Sequence, residues 1–172
     1  MNPTPTGRVV RTDAGRDLVL VRTFTAPIED VWASLTEPDR TARWFGRWHG
    51  TARVGETVTY TMGFEEGGPE ARMTIERCDP PHVLVVRGAD EYEWHLEAQL
   101  SERDGITELR FLHHLTPDID VASVGPGWEY YLDNLVASRD DTPLPSFDDY
   151  YPAQAAYFTD QDVARSADRA QR

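Results

Sequence analysis

Residues 91–100 read EYEWHLEAQL, and the apolar positions fall on every second residue. Tyr92, Trp94, Leu96, Ala98 and Leu100 take one parity; Glu91, Glu93, His95, Glu97 and Gln99 take the other. A period of two predicts a strand with one buried and one wetted face. The same period recurs on both sides of this run. Val58, Tyr60, Met62 and Phe64 alternate with polar and small positions, and Ala71, Met73 and Ile75 share a face, with Cys78 on the opposite one. HVLVVRG (82–88) returns after an Asp-Pro-Pro turn, and ITELRFLHHL (106–115) follows an Asp104-Gly105 turn with Leu109, Phe111 and His113 on one side. With LVLVRTF (18–24) and a short strand in GTARV (50–54), the count reaches about seven strands in antiparallel, mostly meander order.

Two segments change to a helical period. APIEDVWASL carries Ile28, Val31, Trp32 and Leu35 at helical spacing, with Pro27 where a first turn tolerates it. TEPDRTARWF restarts a short helix with Thr36 as its N-cap. Near the C-terminus, Val121, Val124, Trp128, Tyr131, Leu132, Leu135 and Val136 fall on one side of a wheel, while Glu129, Asp133 and Asn134 fall away from it. Gly125-Pro126-Gly127 reads as the break that starts this helix, with Trp128 directly behind it. A curved sheet with one long helix across its hollow buries both apolar faces, an α+β architecture.

The domain assignment follows from where these periods stop. Residues 1–16 are rich in proline, glycine and charge and read as a flexible lead-in; 17–140 form the folded domain. Residues 141–172 are an acidic, proline-containing extension. Its aromatic cluster (Phe147, Tyr150, Tyr151, Tyr157, Phe158) is expected to pack back on the domain, and its last ten or so residues to fray.

Charge narrows the function classes. Among 172 residues, 30 Asp and Glu face 17 basic residues, a formal net charge of -13. That balance repels phosphate backbones and anionic headgroups, so neither nucleic acid nor membrane is an expected partner. No apolar run approaches the roughly 18–20 residues a spanning helix needs, and the opening MNPTPTGRVV lacks the apolar core of a secretory signal, which predicts a cytoplasmic protein. All 17 basic residues are arginine, read as the codon usage of a GC-rich bacterial genome; without lysine there is no Schiff-base chemistry.

The order of strand, two short helices, meander and long helix resembles the helix-grip arrangement of the START-like, or SRPBCC, superfamily. Five stretches are similar to the family named after the activator of the heat-shock-protein-90 ATPase: RTFTAPIEDVWASLTEPDRTARWFG, RVGETVTYTM, ERCDPPHVLVV, GITELRFLHHL and GPGWEYYLDNL. The resemblance covers roughly residues 18–139, with Trp44-Phe45 standing where two tryptophans are frequent. It implies a cavity between helix and sheet, in a superfamily of lipid and hormone carriers, polyketide cyclases, hydroxylase domains and co-chaperones.

On the faces expected to point inward lie Tyr60, Met62, Trp94, Phe111, His113, Trp128, Tyr131 and Leu132. This set is apolar and aromatic with a few hydrogen-bonding tips, the composition of a small-molecule pocket. The same side chains also suit a filled core, and bracing the helix is the favoured role for Trp128. His113, flanked by Leu109 and Phe111, could bond a ligand carbonyl or hydroxyl or serve as a buried structural histidine; His114 faces the other way. His49 and His82 fall in loops and His95 on the wet face, so no metal spacing arises and neither metal nor cofactor is expected. With no Gly-x-Ser-x-Gly and no serine in a His/Asp setting, the reading leans away from an enzyme. The favoured function is a binding domain for a small hydrophobic or aromatic molecule. The alternatives are a co-chaperone-like protein-interaction module that meets a basic protein partner with the acidic sheet face and, after it, a cyclase-like enzyme using His113.

Overall fold

The alternating run becomes a strand whose apolar side is buried, with Leu96 and Leu100 only 7% and 4% exposed. In the computed structural model, which describes residues 2–90 and 93–170, it is β7 (His95–Arg103). The other strands are β1 (Arg8–Thr12), β2 (Gly15–Phe24), β3 (Arg47–His49), β4 (Thr57–Thr61), β5 (Glu70–Asp79), β6 (Val83–Gly88) and β8 (Ile106–Leu115). They form one curved antiparallel sheet in the order β1-β2-β8-β7-β6-β5-β4-β3. Trp94 lies just before β7, and Glu91 and Tyr92, expected to open that strand, lie outside the described residues.

Eight strands stand where about seven were expected because β1 is added, and one of the seven lies elsewhere. Residues 1–16 are not a simple lead-in: Val9 is fully buried and β1 pairs with β2 from Arg8↔Val19 to Thr12↔Gly15. The short strand expected at 50–54 sits earlier, at Arg47–His49, paired with β4. Gly50 ends it with φ +123°, a conformation other residues rarely adopt, and residues 50–54 form a loop.

A bulge alters β5. Ile75 pairs with Val86 but Arg77 pairs with Val85, so Glu76 is an extra residue. One inserted residue reverses the parity beyond it. Cys78 therefore faces the same side as Ile75 and packs against the core, correcting the opposite placement that plain alternation gives.

The helices are α1 (Ile28–Thr36), α2 (Pro38–Thr41), α3 (Val121–Arg139) and α4 (Ala155–Ala170), with a short 3-10 turn at Phe147–Asp149. Thr36 closes α1, its Oγ1 donating to the Trp32 carbonyl at 2.9 Å, and does not cap α2. Gly125-Pro126-Gly127 lies inside α3 and does not start it. The helix begins at Val121, where the Asp120 carboxylate accepts from the Ala122 amide at 3.0 Å. Such a cap is worth about 1 kcal/mol and holds the N-terminal turn ahead of the proline.

The glycine has a packing role. A Cβ at Gly125 would lie 2.5 Å from the ring of Phe158, and one at Gly7 2.9 Å from the same ring. Phe158 of α4 is thus seated between α3 and the chain entering β1, and is fully buried. This outer cover also explains a second departure from the helical wheel. Glu129, placed on the outward side of α3, is 1% exposed because the N-terminal segment lies over it. Its Oε1 accepts from the amides of Thr6 and Gly7, each at 2.6 Å, and its Oε2 pairs with Arg22 at 2.7 Å. Asn134, also placed outward, is fully buried, with its amide 3.5 Å from the Trp44 carbonyl. In the C-terminal extension Tyr150 is buried beside Asp133, with 2.7 Å between the phenol and the carboxylate, while Phe147 and Tyr151 are exposed and stack on each other. The last ten residues, expected to fray, continue α4 as far as Ala170; Gln171 and Arg172 lie outside the described residues.

Candidate functional site

Between α3 and the inner face of the sheet, Trp128 is the hub of an aromatic cluster. Its ring centroid lies 4.7 Å from Phe111 on β8, 5.6 Å from Trp94, 5.9 Å from Tyr131 and 6.1 Å from Phe45. Its Nε1 donates to Nδ1 of His113 at 3.0 Å. Trp128 is therefore brace and wall together, 5% exposed and in contact with both layers.

Three chambers surround this cluster. The central one, about 70 Å³, is bounded by Tyr60, Phe111, Trp128 and Leu132. A second, about 290 Å³, opens toward β5 and β6; it shares Leu35, Tyr60, Leu84 and Val86 with the first and adds Cys78 and Arg53. The third, about 400 Å³, lies against the N-terminal half of α3 and shares Trp128 with the centre. Trp94, Tyr131 and Phe147 line it, with Glu65 and Glu66 from the β4–β5 connection.

Six of the eight residues singled out from the sequence line these chambers: Tyr60, Trp94, Phe111, Trp128, Tyr131 and Leu132. Met62 and His113 line none of the three and are buried in packing at 3% and 0% exposure. Burial pulls the His113 imidazole down to about 4, with smaller contributions from His114 and His95, so it is neutral at pH 7. Because Nδ1 accepts from Trp128, the proton belongs on Nε2, a buried atom with no hydrogen-bond partner among the described residues. That places His113 as a structural acceptor for the helix, away from the chamber walls.

Other wall residues were not singled out. Phe45 follows Trp44 at the end of the α2 segment and stacks toward Trp128. Leu84 and Val86 sit in a run where four consecutive apolar residues hide the parity. Cys78 was missed because of the bulge. Burial raises the Tyr60 phenol to about 12. Burial, with Asp79 adding to it, pushes the Cys78 thiol up, so both are protonated at neutral pH.

The outer sheet face carries different chemistry. His114 turns outward and is clasped at Nδ1 by Asp17, 2.7 Å away, and at Nε2 by Glu97, 2.9 Å away. Burial lowers its pKa, but the two carboxylates outweigh burial and the net shift is upward. His95 stands 4.6 Å from it, ring to ring, and meets Glu76. Arg87, Arg77 and Arg72 pair with Glu76, Asp79 and Asp90, so the face is a mixed-charge network and not an uninterrupted acidic one. Among the described residues no group of three or more His, Cys, Asp or Glu side chains is arranged to hold a metal, and no helix is long and apolar enough to cross a membrane. A polar cleft between α1 and the end of α3 holds Arg40, Arg43 and Arg139, each paired with a carboxylate.

Comparison with known proteins gives the same architecture. The family model described as Activator of Hsp90 ATPase homolog 1-like protein matches residues 25–138. The crystal structure of CalU16 from Micromonospora echinospora superposes with a TM-score of 0.72 at 26% identity, over 92% of this chain and 96% of that one. A solution structure of the protein encoded by gene BPP1335 from Bordetella parapertussis gives 0.66 at 27% identity, over 94% of each chain. The Aha1 dimer from Colwellia psychrerythraea shares the fold at 19% identity, with a TM-score of 0.60 over 71% of this chain and 94% of that one. No curated protein sequence matches the chain.

Proposed function

Since the chain belongs to the activator of Hsp90 ATPase homolog 1-like family, whose fold serves ligand binding, cyclase chemistry and co-chaperone work alike, we propose that it is a binding domain. The ligand is a small hydrophobic or aromatic molecule held between α3 and the sheet. One observation carries this reading: a pocket of about 70 Å³ lies between α3 and the sheet, and clefts of about 290 and 400 Å³ adjoin it at Tyr60 and at Trp128, all walled mainly by aromatic and aliphatic side chains. Apolar walls left open to solvent on this scale gain free energy when a ligand covers them, and a mainly aromatic and aliphatic lining suits a small hydrophobic molecule. Among the polar groups at the walls, the Tyr60 and Tyr131 hydroxyls are held protonated and can orient a ligand by hydrogen bonding.

Native mass spectrometry and thermal shift with a panel of fatty acids and polycyclic aromatics test the proposal. A ligand that raises the melting temperature, and loses its effect when Ala98→Leu fills the central chamber, is the expected result. Absence of any bound ligand across the panel, with chambers closed in a crystal, overturns it. The co-chaperone reading stands second, because the outer face it would use is already laced with arginine pairs. Cyclase-like chemistry at His113 stands third, because that side chain lines none of the three chambers.

A further inference from the structure

The two larger chambers differ in charge. The one beside Cys78 has Arg53 on its wall. The 400 Å³ chamber has Glu65 and Glu66, and no basic side chain among its described lining residues. In the cleft of Arg40, Arg43 and Arg139, by contrast, arginines and carboxylates neutralise one another. Glu65 and Glu66 take part in no ion pair among the described residues. Glu65 is held in place by the Tyr131 hydroxyl, which donates to its Oε1 at 2.5 Å.

The rings beside these carboxylates stand at steep angles. Trp94 meets Trp128 at 69°, and Trp128 meets Tyr131 at 48°. Trp128 and Tyr131 are each 5% exposed and form the floor, while the half-buried Trp94 and the exposed Phe147 offer the more accessible rings, and an accessible ring face attracts an ammonium group. Carboxylates at the rim add a second attraction, reduced by water because both are exposed. A neutral guest gains only the apolar contact, and an anion is repelled by the rim.

We propose that the 400 Å³ chamber is a site for an organic cation, an alkyl- or arylammonium group, set among Trp94, Trp128, Tyr131 and Phe147 beneath the Glu65 and Glu66 carboxylates. The proposal rests on the cavity-binding reading above and adds the charge of the ligand to it. The apolar remainder of such a molecule extends toward the central chamber past Trp128.

Three probes with one ring system separate the two ideas: naphthylmethyl-trimethylammonium, naphthaleneethanol and naphthylacetate, titrated by calorimetry or ligand-observed NMR against the full chain. The cation is expected to bind at least about tenfold tighter than the alcohol, with the carboxylate weakest. In Glu65→Gln/Glu66→Gln the preference for the cation shrinks to a few-fold while the alcohol's affinity holds. Trp94→Leu weakens the cation more than the alcohol. Circular dichroism verifies that both variants remain folded. Equal or tighter binding of the alcohol or carboxylate overturns the ammonium site and leaves the cavity reading standing. Failure of all three probes to bind overturns the ammonium site, and the cavity reading falls with it only when the wider ligand panel also fails.

Discussion

The indole Nε1 of Trp128 donates a hydrogen bond to Nδ1 of His113 across 3.0 Å, tying the long helix to the inner face of β8. Both partners are buried, and the bond decides which histidine nitrogen carries the proton. Trp128→Phe keeps a ring but removes the donor, leaving Nδ1 buried without a partner, at an expected cost of about 1–3 kcal/mol. Trp128→Ala also removes the contacts to Phe45, Phe111 and Tyr131, at an expected cost of about 3–5 kcal/mol. Urea unfolding of the two variants measures the difference. Equal stability for wild type and Trp128→Phe would show that the bond contributes nothing.

Adjacent histidines oppose each other in pH dependence. Burial lowers His113 from 6.5 to about 4 in the folded chain. Its neutral form is the one the fold accepts, so its contribution is complete above pH 6.5 and is lost as pH falls from 6.5 toward 4, on the order of 3 kcal/mol in all. His114 is raised by Asp17 and Glu97 against the effect of burial. Its contribution is complete below pH 6.5 and fades as pH rises through its folded value. In urea midpoints taken between pH 4 and 9, His113→Gln should flatten the acid loss. His114→Gln should be most destabilised in acid and approach wild type in base. Parallel curves for the two variants would contradict the opposite environments.

The glycine of α3 sets up a double-mutant test. Gly125→Ala drives a methyl to within 2.5 Å of the Phe158 ring, which is fully buried and has no room to give. Phe158→Ala opens that space and costs about 3–5 kcal/mol by itself. Combined, the two should destabilise by clearly less than their sum, since the added methyl then occupies part of the void. Simple additivity would mean that α4 does not seat on Gly125.

What could be read along the chain was whatever obeyed one period against one surface. The inward sides of β7 and β8 follow directly from alternation, as Leu96, Leu100, Leu109 and Phe111 demonstrate. The burial of Glu129 was not legible, since the groups that cover and satisfy it, Thr6, Gly7 and Arg22, lie more than a hundred positions away. Pro126 misled because a proline-glycine cluster ordinarily breaks a helix, while here the Asp120 cap starts α3 upstream of it. His113 was placed correctly on the inner side, but no local pattern tells a wall residue from one packed beneath the wall.

The bulge at Glu76 can be tested through Cys78. Plain alternation would set the thiol on the outer face, where N-ethylmaleimide meets it freely. With the inserted residue, Cys78 faces the chamber of Arg53, Leu84 and Val86, half-buried, with its thiol pushed up by burial and by Asp79. Alkylation depends on the thiolate fraction and on access. At pH 7.5 the folded protein should label at least about tenfold more slowly than the urea-unfolded chain, and the rate should climb as pH is raised. A ligand occupying that chamber should slow it further, and alkylated protein should lose affinity for the same ligand. Rapid labelling indifferent to ligand would put Cys78 outside the cavity and remove the bulge from the account of its wall.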